Sequence, residues 1–328
     1  MHIMEGFLPL EWAIFWTIVC IPFLFLGIRA MRKLFAERPE MKLSLALSGA
    51  FIVILSSLKI PSVTGSSSHP TGTGMSTMMC GPWITGVICT IVLLFQGMFM
   101  AHGGFTTLGA NVFSMGIAGP FVAWMVFRTL RKMSVNPSAN VFTVVFVANV
   151  VTYLVTSLQL ALVAVTVGGS PFLSTFITFF GIFTITQIPI AIAEGILMVI
   201  FFKYLADVRP ELVKGMGYDT SVRQTRSMLD TEDDKKKSRN LLALFAVALV
   251  AMIAFVYITT FFFDFAGSDD MGSDALENLI PGLELLNENI IQLGEFGISL
   301  LFLIQTTVGV AILAFIWYKF IRKDHARE

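Results

Sequence analysis

Acidic residues are missing from a long central part of this 328-residue sequence, where neither Asp nor Glu occurs between Glu40 and Glu194. Only 13% of all residues are charged, the formal net charge is zero, and 55% of the residues are hydrophobic. The mean hydropathy of +0.79 is far above that of a soluble globular domain. A balanced charge gives no reason to expect a nucleic-acid partner. The composition therefore predicts a chain that lies largely in lipid.

Motifs of several enzyme classes are missing as well. The sequence has no His-Glu-x-x-His zinc motif, no paired nucleophile and base, and no Gly-x-x-x-x-Gly-Lys loop for nucleotide phosphates. Only three cysteines occur, namely Cys20, Cys80 and Cys89, and their spacing is not that of a metal site. Each lies in or beside an apolar run, which favours a packing role. We therefore expect a protein that is not an enzyme and has no ATPase of its own.

Apolar runs long enough to cross a bilayer recur along the sequence. A membrane-spanning helix needs about 20 predominantly apolar residues, and few charges are tolerated within it. Eight segments meet this description, at 12–28, 43–60, 81–101, 104–127, 141–166, 172–202, 241–263 and 297–318. The sequence thus predicts an all-α polytopic membrane protein.

Basic residues indicate how these spans are oriented. All but one of the 22 Lys and Arg residues fall into four clusters. The clusters are 29–42, 128–132, 203–239 and 319–327, and the exception is Lys59. The positive-inside rule places all four on the cytoplasmic side, so an even number of spans must separate each cluster from the next.

Three candidate spans between the first two clusters break this parity. The glycine-rich segment 104–127, with Gly119-Pro120 near its end, predicts two short spans or a broken helix, which restores the parity. Seven spans then precede residue 203, the N-terminus is outside, and the C-terminus is cytoplasmic. The loop 61–80 is external, and His102 falls at the inner end of its span.

Hydrophilic sequence divides the chain into two membrane units. We expect a membrane domain at 1–205, a charged cytoplasmic linker at 206–240, and a two-span unit at 241–328. The loop of the second unit, 264–295, carries eight acids and no basic residue, and is predicted to be external.

The first two residues form a candidate metal chelate. No basic n-region or small-residue cleavage site marks a signal peptide, so we expect the mature chain to begin at Met1. The α-amine of Met1, the amide nitrogen of His2 and its imidazole Nδ1 can then close two fused chelate rings on one ion. Because the amine, with an ordinary pKa of about 7.7–8.0, must lose its proton to bind, binding weakens in acid. The plain alternative is that His2 is an unremarkable residue after the start codon.

His69 lies in an uncharged Gly/Ser-rich segment, 62–74, and is predicted to lie on the same side as His2. A nitrogen from His69 would complete a planar N₄ set suited to Ni²⁺, Cu²⁺ or low-spin Co²⁺. The alternative is a flexible loop, although the flanking prolines favour a packed, re-entrant loop. Ser68, His102 and Glu194 are expected to lie beside the metal or to act in gating rather than as ligands.

Two further features are candidates for function. Glu194 is the sole acid within the apolar spans, and an intramembrane carboxylate is a functional candidate by default. Its structural alternative is a hydrogen bond to a neighbouring helix, or a neutral carboxyl near Gln187. Ala46 and Ala50 place small residues on one helix face, which permits close helix contact but is common.

Three sequence segments resemble the CbiM-type cobalt-capture subunits. They are MHIMEGFLP at 1–9, KIPSVTGSSSHPTGTG at 59–74 and AHGGFTTLGANVFSMG at 101–116, and TQIPIAIAEG at 186–195 extends the likeness to the seventh span. Residues 241–323, with FAGSDD after one span, are similar to the small CbiN-type accessory subunit. The fusion of the two departs from the usual separate arrangement.

The resemblance implies a seven-span substrate-capture bundle of an energy-coupling-factor (ECF) transporter, with an extracytoplasmic N-terminus, followed by a two-helix transmembrane hairpin. It implies that Met1, His2 and His69 surround Co²⁺, and that the face bearing Ala46 and Ala50 docks to a partner. The implied partners are a CbiQ-type transmembrane coupling subunit and two cytoplasmic CbiO-type ATPases in a prokaryotic cell membrane. The implied role is Co²⁺ import for cobalamin synthesis, without an organic cofactor.

Two alternatives remain at this point. A Ni²⁺-capture component of the same transporter class has the same ligand chemistry, because nitrogen ligands bind Ni²⁺ and Cu²⁺ more tightly than Co²⁺. The choice of Co²⁺ rests on the likeness of residues 3–6 to the cobalt-type sequence. An ion-coupled secondary transporter would need intramembrane acids for its coupling ion, and Glu194 alone supports that alternative weakly.

Overall fold

A computed structural model describes residues 2–3, 7–39, 41–57, 60–61, 67–99 and 102–208, with Val213 and short stretches between 239 and 254. Within this part the chain is helical apart from a two-stranded antiparallel ribbon of β1 (Ile60–Pro61) and β2 (Ser67–Ser68). The predicted all-α class is confirmed. Met1, most of the linker 206–240 and most of the two-span unit 241–328 lie outside the described residues.

The helices follow the predicted apolar runs closely. They are α1 (Leu10–Glu37), α2 (Met41–Ser57), α3 (Thr73–Cys80), α4 (Pro82–Phe99), α5 (Leu108–Asn111), a π-helical segment (Val112–Ala118), α6 (Gly119–Lys132), α7 (Pro137–Gly168) and α8 (Phe172–Val208). Four stretches in the described part are long and apolar enough to cross a membrane: 10–37, 108–132, 137–168 and 187–207. The other apolar helices, 41–57, 82–98 and 172–185, are shorter.

Local sequence sets the ends of these helices. At the start of α7 the Asn136 side chain accepts a hydrogen bond of 2.9 Å from the Ser138 amide, and Pro137 occupies the first helical position, where no amide hydrogen is needed. The helix ends at Gly169, whose φ of +65° is a conformation that favours glycine. A cap and a stop thus delimit the 32-residue helix.

Close contacts fix the relative directions of the helices. Near its N-terminal end α1 packs against α5 where Thr17 meets Gly109, and further along Gly27 lies directly against the Trp83 backbone at the start of α4. Gly86 in turn lies against Gly116 of the π-helical segment. Hence α4 runs antiparallel to α1, and the 108–132 helix runs antiparallel to α4.

The additional reversal of the chain that was predicted within 104–127 occurs instead at α3, before α4. Two short spans or a broken helix was the wrong expectation there, because residues 108–132 form one continuous helix with a π-helical interior. The short helix α3 carries the chain away from His69 before it turns at Gly81, and α4 brings it back to His102. Ser76 and Thr85 hydrogen bond across this turn at 3.0 Å. Residues 69–78 are buried, as expected for a packed, re-entrant segment.

Apolar side chains cover much of the outside of the bundle. On α1, Leu10, Ile18 and Phe25 are 69%, 58% and 66% exposed, a pattern that requires lipid rather than water around the helix. The basic residues Arg29, Arg128 and Lys203 lie near the ends of α1, α6 and α8 that are remote from residue 2. The structure is that of a multi-pass membrane protein with one basic end.

Candidate metal centre

Three histidines from distant parts of the sequence meet in the interior near the N-terminus of the chain. His2, His69 and His102 are buried, and their ring centroids lie 4.3 Å apart for His2 and His102, 4.8 Å for His2 and His69, and 5.0 Å for His69 and His102. One ring nitrogen from each lies within 4.8 Å of the others. We call these three residues the histidine cluster.

Side chains of α5 and the preceding turn hold the N-terminal segment in the bundle. The Asn111 Oδ1 atom accepts a hydrogen bond of 2.8 Å from the Ile3 amide, and Asn111 Nδ2 donates one of 2.9 Å to the Ile3 carbonyl. The Thr107 hydroxyl donates a further hydrogen bond of 2.7 Å to the same carbonyl. Both backbone groups of residue 3 are thereby satisfied by side chains, which fixes the position of His2.

The other nitrogen of each ring defines how His2 and His69 face the cluster. His2 Nε2 lies 3.1 Å from Gln96 Oε1, an acceptor, so this nitrogen carries the proton and the lone pair is on Nδ1. Gln96 is itself held by a 2.6 Å hydrogen bond from its Nε2 to Ser56 Oγ. His69 Nδ1 lies 2.9 Å from the Pro70 carbonyl oxygen, which places its lone pair on Nε2. Such partners fix the tautomer of metal-binding histidines.

The segment that carries His69 is held by α7 and α8. Gln187 Nε2 donates a hydrogen bond of 3.1 Å to the His69 carbonyl and one of 2.6 Å to Asn149 Oδ1. Glu194, fully buried two helical turns further along α8, accepts hydrogen bonds from the Thr71 and Gly72 amides. The backbone of the described residues 69–72 is therefore held in place by side chains of α8.

His102 lies in a different place from the one expected. The sequence analysis put it at the inner end of a span and expected it to lie beside the metal or to act in gating; the inner end was wrong, because its ring lies against both His2 and His69. The reversal follows from α3, which returns the chain so that α4 ends beside the N-terminus. Gly103 has a φ of +77°, which favours glycine, and a Cβ atom there would lie 3.2 Å from Asn111 Nδ2 and 3.3 Å from His2 Cδ2, a tight fit against the His2 ring.

The remaining candidates lie apart from the histidine cluster or outside the described side chains. Ser68 belongs to β2, and only its backbone is described. Ala46 is exposed and Ala50 is half-buried on α2. The sequence analysis missed Gln96 and Asn111, although a buried amide side chain in an apolar run is the kind of signal that marks an intramembrane polar site.

The cluster offers the chemistry of a transition-metal site. Neutral imidazole nitrogens suit Co²⁺, Ni²⁺, Cu²⁺ and Zn²⁺, whereas the oxygen ligands that Mg²⁺ and Ca²⁺ prefer are not those of the cluster. Metal to nitrogen bonds of about 2 Å place two nitrogens on one ion at most about 4 Å apart. The observed limit of 4.8 Å requires only a small contraction to reach this spacing.

Comparisons with known proteins agree with this arrangement. Residues 2–212 match the family described as cobalt uptake substrate-specific transmembrane region, CbiM, and residues 236–328 match the cobalt transport protein component CbiN. A CbiM relative from Methanocorpusculum labreanum is 56% identical over 66% of this chain and 94% of its own length. The cobalt transport protein CbiM of Carboxydothermus hydrogenoformans is 52% identical over 63% of this chain and 83% of its own length.

The fold has a solved counterpart. A crystal structure of a truncated transition metal transporter aligns with a TM-score of 0.57 at 24% identity, and covers 63% of this chain and 99% of that one. At this identity the likeness concerns the fold alone. The family match over well more than half of the sequence shows that the chain belongs to the CbiM family of cobalt uptake transmembrane proteins and carries a CbiN-type component in tandem.

Proposed function

We propose that this protein captures Co²⁺ at the histidine cluster on the outer side of a prokaryotic cell membrane and delivers it to an ATP-driven ECF-type importer. The observation that carries the proposal is the meeting of three buried histidines beside an N-terminal segment held by Asn111. Burial of three imidazoles costs hydration free energy, which a bound cation offsets. The CbiM and CbiN family descriptions, which name cobalt, support the choice of substrate.

The proposed equatorial ligands are four nitrogens. The α-amine of Met1, the amide nitrogen of His2 and His2 Nδ1 form two fused chelate rings, and His69 Nε2 supplies the fourth. The hydrogen bonds from the cluster to Gln96 and Pro70 support this set, because they leave Nδ1 of His2 and Nε2 of His69 as the ligating atoms. A planar set of this type suits low-spin Co²⁺ as well as Ni²⁺.

His102 fits an axial position in this arrangement. A metal on Nδ1 of His2 lies in the plane of that ring. The His102 ring is tilted by 33° from the His2 ring at a centroid distance of 4.3 Å, which is too close for the two rings to lie side by side in one plane. We infer that His102 shields the ion or binds it weakly from the axial side.

The orientation follows from charge. Basic residues lie at the end of the bundle remote from the histidine cluster, and the positive-inside rule makes that end cytoplasmic. The cluster then faces the outside, where a substrate is captured. Import needs an energy source that the sequence lacks, and we propose a CbiQ-type coupling subunit with two CbiO-type ATPases as partners, supplying cobalt for cobalamin synthesis.

Ni²⁺ is the second candidate substrate. The ligand set is all nitrogen, and by the Irving-Williams order such a set binds Ni²⁺ more tightly than Co²⁺. Metal analysis of protein purified from cells grown with equal Co²⁺ and Ni²⁺ decides between them. A predominance of cobalt supports the proposal, and a predominance of nickel replaces Co²⁺ by Ni²⁺. An ion-coupled transporter is less well supported, since both Glu194 oxygens already accept hydrogen bonds from the protein.

Displacing the amine tests the chelate. Two leucines inserted between Met1 and His2 keep the initiator methionine in place and move the amine away from the imidazole. The insertion removes more than one nitrogen ligand from the ion, and each factor of ten in affinity corresponds to about 1.4 kcal/mol. We therefore expect Co²⁺ uptake to fall by at least about 100-fold. Insertion of two leucines next to His325 in the C-terminal tail is the matched control and leaves uptake unchanged. Normal uptake in the N-terminal variant would remove the amine from the ligand set.

A further inference from the structure

Glu194 makes a set of contacts that only a carboxylate can make. Its Oε2 atom accepts hydrogen bonds of 2.9 Å from the Thr71 amide and 2.8 Å from Asn149 Nδ2. Its Oε1 atom accepts one of 2.8 Å from the Gly72 amide and a longer one of 3.4 Å from the Thr71 hydroxyl. Each oxygen thus serves one backbone amide of the segment that follows His69 and Pro70.

An amide side chain of the same shape fails in either orientation. With its oxygen in the Oε1 position a glutamine serves Gly72, but its NH₂ group then faces the Thr71 amide. With the oxygen in the Oε2 position it serves Thr71, and the NH₂ group faces the Gly72 amide. One buried backbone donor is left without an acceptor in both cases, which is costly inside a membrane protein.

The same face of α8 reaches the His69 backbone directly. Gln187 lies seven residues before Glu194, which is two helical turns, so both side chains project from one face. Gln187 holds the His69 carbonyl, and Glu194 holds the two amides that follow Pro70. Gly72, at a φ of +70°, packs against Ile52 and starts α3, so the segment between the two contacts has little freedom.

We propose that Glu194 is a positioning residue for metal capture, which acts by fixing the backbone of residues 71–72 so that His69 Nε2 is aimed at the ion. The inference rests on the proposed function. Glu194 acts on the histidine cluster through the backbone of residues 69–72 and does not bind the ion itself. Its effect is therefore expected in the affinity and geometry of the bound ion, and it depends on the presence of His69.

The test measures Co²⁺ affinity and the visible absorption spectrum of bound Co²⁺ in the purified full chain. Glu194→Gln is expected to weaken binding by about tenfold or more, from the loss of one buried hydrogen bond, and to change the spectrum because the His69 ligand is displaced. Glu194→Asp keeps both acceptor oxygens one methylene further back and is expected to weaken binding by a smaller factor. Asn140→Ala removes a buried amide at the opposite end, and is the control for a general loss of stability.

A double-mutant cycle separates positioning from simple support of the fold. In a His69→Ala background, Glu194→Gln is expected to change the remaining Co²⁺ affinity by less than about twofold, because its route to the ion is already gone. An equal loss in both backgrounds, or an unchanged affinity in the single variant, overturns the proposal. Where Glu194→Gln does not fold, Glu194→Asp takes its place in the cycle with the same criteria. Absence of Co²⁺ binding by the wild-type chain would instead overturn the proposed function.

Discussion

At the scale of single residues, the candidate site depends on side chains that hold backbone. Asn111 makes hydrogen bonds to both the amide and the carbonyl of Ile3, much as a neighbouring strand would. The hydroxyl of Thr107 adds a third contact, to the carbonyl alone. The position of His2 therefore depends more on Asn111 than on Thr107.

This difference predicts a ranking. Asn111→Leu leaves the Ile3 amide without its side-chain acceptor, and we expect Co²⁺ affinity to fall by about tenfold or more. Thr107→Val removes one of two donors to the Ile3 carbonyl, and we expect a loss of less than about threefold. Isothermal titration of both purified variants checks the order. A larger loss in Thr107→Val would show that the hydrogen bond from Thr107 to the Ile3 carbonyl, rather than the two hydrogen bonds of Asn111, positions His2.

Protons compete with the metal at the same nitrogens. Imidazole and amine nitrogens bind a metal only in their deprotonated forms, so metal binding releases protons. We expect Co²⁺ affinity to fall as the pH is lowered from 8 to 6, by about tenfold per pH unit for each proton displaced. Titrations in buffers of different ionisation enthalpy measure this release. An affinity that is independent of pH in this range would exclude the amine and imidazoles as ligands.

The sequence predicted some of these residues and missed others for a physical reason. His2 was found because the chelate chemistry of an N-terminal Xaa-His is local and readable, and His69 because the basic clusters predict it on the same side of the membrane. The roles of Gln96, Asn111 and Gln187 depend on contacts over 94, 108 and 118 residues of sequence. Only the folded chain brings such partners together.

At the scale of elements, α3 decides the arrangement of the site. This eight-residue helix is too short to be recognised as a span in the sequence. The even number of chain crossings required between the first two basic clusters was therefore obtained by dividing 104–127 instead. Because α3 returns the chain, α4 ends at the histidine cluster and brings His102 there. The glycines of 104–127 have a different role: Gly109 and Gly116 allow close helix contacts, and the π-helical segment begins directly after Asn111.

The packing of α3 can be tested with a pair of glycine substitutions. A Cβ atom at Gly74 would lie 2.8 Å from the Val145 Cα atom, so Gly74→Ala has to displace α3 from α7. A Cβ atom at Gly97 of α4 would meet nothing within 4 Å. We expect Gly74→Ala to cost about 1–3 kcal/mol of stability, and Gly97→Ala to cost none or to stabilise its helix. Thermal unfolding in detergent compares them, and equal midpoints would contradict the close α3 to α7 contact.

At the scale of the whole molecule, the bundle has two chemically different ends. Trp12, near the N-terminal end of α1, donates a hydrogen bond to Thr166, near the end of α7 at Gly169. The end of α7 therefore lies at the same end of the bundle as the histidine cluster. The basic termini of α1 and α6 lie at the other. Composition and charge clusters predicted this polarity from the sequence, because the membrane imposes it on every span. The predicted linker and two-span unit lie mostly outside the described residues, and remain predictions.

Two positions that flank α7 test which end is external. Ser134 and Ser170 lie before and after this helix, and each is changed to cysteine in a chain whose native cysteines are replaced by alanine. We expect a membrane-impermeant thiol reagent to label Ser170→Cys in intact cells, and to label Ser134→Cys only after the membrane is opened. The reverse pattern would put the histidine cluster on the cytoplasmic side and contradict capture from outside.

The most direct measurement is the anomalous X-ray signal of cobalt in crystals of the full chain loaded with Co²⁺. The account predicts one strong peak within about 2 Å of the Met1 amine, His2 Nδ1 and His69 Nε2. A peak in the acidic segment 264–295, or an N-terminal amine pointing away from an ion held elsewhere, would contradict it.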